Sequence, residues 1–455
     1  MNHLIATPWK SVFANDLDAF VPEVWAQESL MILENNMVAG NLVHRDFVNE
    51  IRAFGDVVNT RKPGSFTAKR KGVSDDVTIQ DASATNVAVP LNQQLHTSFL
   101  IRDGESSKGF KNLVAEYLYP GVLSIAQAID EIVMAQTYRF RANNVGQLGV
   151  DPTKSTVVAA RTLANTNKIP TAGRNMIVTP NAEGALLNIS EFINAEKIGD
   201  DGTALREGSI GRKFGFDFYM DQNTPQIDGT SVDSVTTALT ADEPAGETVL
   251  AVTAFASGDY AVGQFLVVTG DGTVQKITAA DDVAETITVT PGLKTGVSTG
   301  AVVTVYGAGA INEAAGYSAA YLDDMTVDGF TLAPQSGQLF SIGANEYGAI
   351  GTPTTTALAA DIPLTASVAD DAAVNLGPAG SYCFGFHRNA LALVVRPLAT
   401  PEPGTGALSY VAEYNGLAIR VTITYNGVKQ GHLVTVDLLC GVAALDTGLG
   451  FVMYA

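Results

Sequence analysis

Helical periodicity fades at about residue 228 and does not return before 380, and the same stretch holds most of the chain's charge. Between Asp228 and Gly380 stand 18 Asp and Glu and only two basic residues, Lys276 and Lys294, whereas the remaining 302 residues hold 29 acids and 25 bases. The block thus carries 16 of the chain's 20 net negative charges. Runs such as Thr248–Val252, Gln264–Val268, Thr286–Val289 and Val302–Tyr306 are rich in Thr and Val and are separated by Gly and Asp turns, which predicts an all-β insertion. Like charge at this density repels copies of itself and repels nucleic acid, so the block is expected to face solvent while the near-neutral flanks pack closely. Within it, Gly263-Gln264-Phe265-Leu266 recurs as Gly337-Gln338-Leu339-Phe340, and Leu293, Val297 and Ala301 recur as Leu364, Val368 and Ala372, offsets of 74 and 71 residues. Two related β-modules in tandem would produce this pattern, and so would chance similarity in low-diversity β sequence.

The flanks read differently. At 455 residues and 46% hydrophobic content the chain has material for several packed domains. It has no apolar run long enough for a membrane span, and Met1–Ala6 lacks the basic start and apolar core of a signal peptide, so synthesis and use in cytoplasm are expected. Cys383 and Cys440 sit among apolar neighbours and read as buried, reduced packing residues. Pro22 through Met37 has helical spacing, with Val24, Trp25, Leu30, Met31 and Leu33 as apolar anchors. From Asp56 to Ile101 short alternating runs, broken by Lys62-Pro63-Gly64 and Gly72, predict a long two-stranded excursion. Such a hairpin is unstable alone in water, which makes a neighbouring subunit a candidate surface for it. Residues 106–143 predict a long helix interrupted at Pro120-Gly121; further helices are expected to start near Asp151-Pro152-Thr153 and at Thr179–Glu183, each with a polar capping candidate, with a strand Asn175–Thr179 between them. After Ser381 strands return, and Asn426-Gly427 signals a hairpin.

Catalytic and ligand motifs do not survive inspection. Gly296-Val297-Ser298-Thr299-Gly300 has nucleophile-elbow spacing but is flanked by strand patterns on both sides, and Gly307-Ala308-Gly309 leads into Asn312 where a dinucleotide fingerprint needs glycine. The five histidines, His3, His44, His96, His387 and His432, are scattered. The acidic turns Gly199–Gly202 and Gly270–Thr273 lack the spacing of a calcium loop and read as solvated turns. No cofactor, no metal and no enzymatic activity are expected. One cluster remains: Arg61, Lys62, Lys69, Arg70 and Lys71, without an intervening acid. It suits contact with acids on an adjacent subunit, a solvated face, or nucleic-acid phosphates, though it lacks the aromatic residues that single-strand binding uses.

Three blocks carry a family resemblance: Asn41-Leu42-Val43-His44-Arg45-Asp46-Phe47 leading to Gly55-Asp56-Val57-Val58; Ile210-Gly211-Arg212-Lys213-Phe214-Gly215-Phe216-Asp217 followed by Asp221-Gln222-Asn223; and Phe384-Gly385-Phe386-His387-Arg388 through Leu398. With the order arm, extended loop, long helix, α/β unit, β-insertion and closing strands, the chain resembles the major capsid proteins of tailed double-stranded-DNA bacteriophages. The likeness is to podovirus-type coats with an inserted β-domain, whose capsid fold is shared with encapsulins and herpesvirus shell floors. The resemblance implies an α+β capsid fold: residues 1–55 an N-terminal arm and helix, 56–101 an extended β-hairpin loop, 102–149 a peripheral domain on a spine helix, 150–227 the first part of an axial domain. It further implies that 228–380 is the acidic all-β insertion, 381–400 the axial return strand and 401–455 the closing strands of the peripheral domain. It implies a structural protein of the virion, assembled in host cytoplasm into an icosahedral shell of hexamers and pentamers. Its partners would be scaffolding and portal proteins, a decoration protein and packaged double-stranded DNA held by weak non-specific contact, with no membrane. Arg61, Lys62, Lys69, Arg70 and Lys71 are then inter-subunit contacts, and Asp242, Glu243, Asp271 and Asp281 mark the outer surface. The competing reading is a secreted or surface adhesin whose tandem β-modules bind a receptor.

Overall fold

The computed structural model describes residues 22–45, 57–62, 68–73, 76–77, 79, 85–103, 117–193, 210–228, 234–256, 258–318, 324–402 and 406–455. They form two compact units. One comprises the N-terminal helix, residues 94–125 and residues 395–439; the other holds residues 37–93, 126–394 and 440–455.

In the first unit the strands Leu408–Tyr414, Leu417–Asn426 and the following strand from Gly431 form an antiparallel meander. The helix Pro22–Asn36 lies across its first two strands. Trp25, Ala26, Leu30, Ile32 and Leu33 turn inward, and Trp25 stacks on Phe99, which stacks in turn on Tyr117 at 5.5 Å. Full burial of each large aliphatic side chain contributes roughly 1.5–3 kcal/mol. Two expected anchors are not part of this face: Val24 is 53% and Met31 60% exposed. These two are seven residues apart and share the opposite stripe of the helix, where the 3.6-residue period places them once Trp25 and Ser29 point inward. The hairpin signalled by Asn426-Gly427 closes through a longer loop, with Asn426 paired to Gly431. The Asn426 side chain accepts from the N–H groups of Val428 and Lys429, a role of Asn in turns that a two-residue loop does not need.

The second unit is built on a mixed sheet whose neighbours run Asn144–Gly146, Gly450–Tyr454, Gly380–His387, Arg174–Val178, Phe216–Met220 and Arg212–Lys213. The helices Lys154–Thr166 and Pro180–Leu187 start where capping chemistry puts them: Thr153 accepts from Thr156 N–H in a capping box, and Thr179 accepts from Ala182 N–H with Pro180 in the first turn. Val157, Ala160, Ala164 and Leu186 pack on Met176, Phe216, Cys383 and Phe451. Both cysteines are free and fully buried, and burial pushes their thiols up to about 11 for Cys383 and about 12 for Cys440. Tyr117 and Leu118 are π-helical and pass directly into the α-helix Tyr119–Ala135, so the helical geometry changes next to Pro120-Gly121, which sits in the first α turn. That helix tightens into a 3-10 turn at Gln136–Phe140. The preceding half of the expected long helix lies outside the described residues.

The acidic block leaves the sheet after Ile227 and rejoins it at Gly380, and these two residues are direct strand partners. Between them lie two six-stranded β-structures, each with its own apolar core. The first uses Ser234–Ala238, Val249–Ala251, Phe265–Val268, Val274–Asp281, Thr286–Thr290 and Val302–Tyr306; the second uses Ala308–Ile311, Met325–Asp328, Leu339–Ile342, Asn345–Ile350, Ala357–Ala360 and Ala373–Leu376. Numbering the six strands of each in chain order, both pair in the same sequence: second, fifth, fourth, third, sixth, first. The second closes into a barrel, and in the first the edge strands meet through the bridge Leu239–Val252. The recurring Gly-Gln pairs occupy matching places. Gly263 N–H donates to Ile277 O and Gln264 O accepts from Ile277 N–H; Gly337 and Gln338 exchange the same two bonds with Ala349. Each glutamine side chain also accepts from the N–H three residues before it.

Candidate functional site

The strands Val57–Lys62 and Thr85–Pro90 pair antiparallel from Val57 opposite Pro90 to Lys62 opposite Thr85. This places Arg61 and Lys62 at the far end of the hairpin. Lys69, Arg70 and Lys71 follow in the connecting segment and are exposed. Beside them Val73, Val77 and Ile79 are 105%, 74% and 88% exposed. A segment that combines cations with fully exposed aliphatic residues has two ways to adhere, charge for steering and apolar area for holding.

The four acids expected on the outer surface divide into two pairs. Asp242 and Asp281 are exposed; Asp242 accepts from Thr299 N–H, and Asp281 caps its own turn through Val283 and Ala284 N–H. Glu243 and Asp271 are 9% and 4% exposed, which corrects the expectation for both. Asp271 accepts from the N–H groups of Lys294 and Thr295, and Glu243 from Ala251 N–H, so each carboxylate satisfies backbone donors inside the first β-structure. The turn Gly270–Thr273 is therefore not solvated at its aspartate. The other acidic turn, Gly199–Gly202, lies outside the described residues.

Sequence reasoning missed the seat on which the insertion rests. Glu346 of the second barrel takes a bidentate pair from Arg141, just after the 3-10 turn, and lies 3.5 Å from Lys276 Nζ of the first β-structure. Three parts of the chain thus meet on one carboxylate. The Arg141 guanidinium also sits over the Phe265 ring at 5.9 Å. Lys294 Nζ donates to the Asn144 carbonyl, and Gln147 Nε2 donates to Gly270 O at 3.1 Å. Asp361, 1% exposed, accepts from Gln136 Nε2 and from Gly348 N–H. Burial pushes its carboxyl up to about 6 against the opposing pull of Arg139. The scarcity of bases in the acidic block was the available signal: both of its lysines serve these junctions.

Among the described residues no group of three or more His, Cys, Asp or Glu is placed to hold a metal ion.

No family model matches the chain, and no curated protein does. Among solved structures it is similar to one described as Mycobacterium phage Che8, with 13% identity and a TM-score of 0.44 over 92% of this chain and 90% of that one. It is similar to the capsid structure of the cyanophage P-SCSP1u, with 9% identity and a TM-score of 0.41 over 89% of this chain and 84% of that one. It is also similar to the capsid of Ralstonia phage GP4, with 9% identity and a TM-score of 0.41 over 93% of this chain and 90% of that one.

Proposed function

We propose that the chain is the major capsid protein of a tailed double-stranded-DNA bacteriophage, a structural subunit that self-assembles into an icosahedral shell. The observation that carries this reading is the convergence of the three sequence blocks that carry the resemblance. His44, from the first block, exchanges backbone bonds with Leu391 and Leu393 of the third, while the second block supplies Arg212–Lys213 and the start of Phe216–Met220, the latter paired with Arg174–Val178, itself paired with Gly380–His387. Segments far apart in sequence therefore build one body.

In this reading residues 1–55 are an arm and helix, and 56–101 an extended loop that reaches a neighbouring copy through Arg61, Lys62, Lys69, Arg70 and Lys71. Residues 102–149 and 401–455 form the peripheral domain, and 150–227 with 381–400 the axial domain. The insertion 228–380 carries Asp242 and Asp281 on the outer surface. The subunit forms hexamers and pentamers in host cytoplasm with scaffolding and portal proteins, and meets packaged DNA only by weak non-specific contact. Near-neutrality of the flanks, with 29 acids and 25 bases, favours that weakness. Stability of the shell comes from many modest interfaces acting together.

Size-exclusion chromatography with negative-stain microscopy tests the reading. Closed shells or capsomer-sized rings are expected, and a monodisperse monomer with glycan affinity would replace the capsid with an adhesin. On intact particles a carboxylate-modifying reagent is expected to reach Asp242 and Asp281; protection of both would place the insertion elsewhere.

A further inference from the structure

We propose that the second barrel of the insertion is a brace that fixes the direction in which the hairpin Val57–Pro90 leaves the body. The root of that hairpin, Pro90–Gln93, is held from two sides. On one side Gly441 approaches the Pro90 carbonyl so closely that a Cβ at 441 would collide with it and stand 3.2 Å from Leu91 Cα. On the other side Asn92 Nδ2 donates to Asp361 O at 3.0 Å and Gln93 Nε2 to Ala360 O at 3.4 Å. Ala360 ends the fifth strand of the barrel and Asp361 follows it. Val89 and Leu91, on either side of Pro90, are buried.

The barrel in turn is locked to the end of the helix Tyr119–Ala135. Gly348 lies on Ala135 with no clearance, since a Cβ there would stand 2.5 Å from Ala135 O and 3.0 Å from its Cβ. Asp361 ties the two together, its carboxylate binding Gln136 on the helix side and Gly348 within the barrel. A close-packed contact of this kind does not deform continuously. Displacement of the barrel from the helix end therefore carries residues 360–361 with it, and with them the side chains that hold the hairpin root. A two-stranded hairpin has little stiffness of its own at its base. A small rotation at Pro90 moves the distant cations and aliphatic residues of the loop by much more. The insertion thus acts on the loop mechanically, from inside the same chain, and this holds whether or not the chain builds a shell.

Spin-label distance measurements on the full chain test the brace. One pair, Ala88→Cys with Val158→Cys, reports on the hairpin; a second, Thr355→Cys with Val158→Cys, reports on the barrel. All three positions are exposed, and the native thiols of Cys383 and Cys440 are buried away from the reagent. Both distributions are expected to be narrow in the parent. Asn92→Ala with Gln93→Ala is expected to broaden the hairpin distribution at least about twofold and leave the barrel distribution unchanged. Gly348→Val is expected to broaden both. A hairpin distribution that keeps its width in both variants, with or without a displaced barrel, would overturn the proposal.

Discussion

Asp130 is 1% exposed, and its two oxygens accept the N–H groups of Val38 and Gly40 at 2.7 and 2.8 Å. Those bonds favour the carboxylate, but burial outweighs them and the charge of Asp221 adds to it, so the carboxyl is pushed up to about 7. Asp361 follows at about 6. Both groups bind protons more tightly in the folded chain than in the unfolded one, where a carboxyl titrates near 4. The stabilisation they give is complete below that value and is lost as pH rises through 6 and then 7, with a slope of up to about 1.4 kcal/mol per pH unit for each proton. The melting temperature is accordingly expected to fall between pH 5 and pH 8, and Asp130→Asn is expected to flatten that fall. An unchanged slope in the variant, measured by scanning calorimetry, would remove Asp130 from the account. Acid burial of this kind is not legible locally. Asp271 stands in a Gly-Asp-Gly-Thr turn that reads as solvated, yet its donors are the amides of residues 294 and 295. Only the strand pairing of the folded chain brings them together.

At the level of elements, the legible features are those whose physics is local. Thr153 and Thr179 mark helix starts because a hydroxyl at that place satisfies an otherwise unpaired amide, and the Thr- and Val-rich runs of the acidic block are strands because such side chains fit a pleated surface. The phase of the helix at Pro22 was not legible, because Val24 and Met31 are as apolar as Ala26 and Ile32, and only the sheet beneath decides which stripe faces inward. The junction at Glu346 was equally hidden, since its partners are 70 and 205 residues away. Its removal is informative. Glu346→Ala leaves Arg141 and Lys276 facing each other without a counter-charge in a site where Glu346 is only 20% exposed, and is expected to cost about 2–4 kcal/mol in urea unfolding. Arg141→Ala in the same background is expected to recover part of that loss, because it removes one of the two stranded cations. A fully additive double variant would show that the three charges do not act together.

For the whole molecule, the exposed loop separates folding from assembly. Val73, Val77 and Ile79 stay largely exposed. Their triple substitution by serine is expected to leave the melting temperature within about 1 °C of the parent while abolishing particles seen by negative stain. Lys69→Glu, Arg70→Glu and Lys71→Glu together are expected to raise the protein concentration needed for assembly at least about tenfold at low salt, with a smaller effect at high salt. Particles that form normally in both variants would exclude the loop as an inter-subunit contact.

The pairing of Ile227 with Gly380 has a consequence for how such a chain grows. The body's sheet holds the two ends of the excursion side by side, so it senses the separation of those ends and not the amount of protein between them. Loop-closure entropy rises only with the logarithm of length, and doubling an excursion costs about 0.6 kcal/mol. A second six-stranded unit with the strand order of the first therefore adds its own core and its own surface charge at almost no expense to the sheet that carries it.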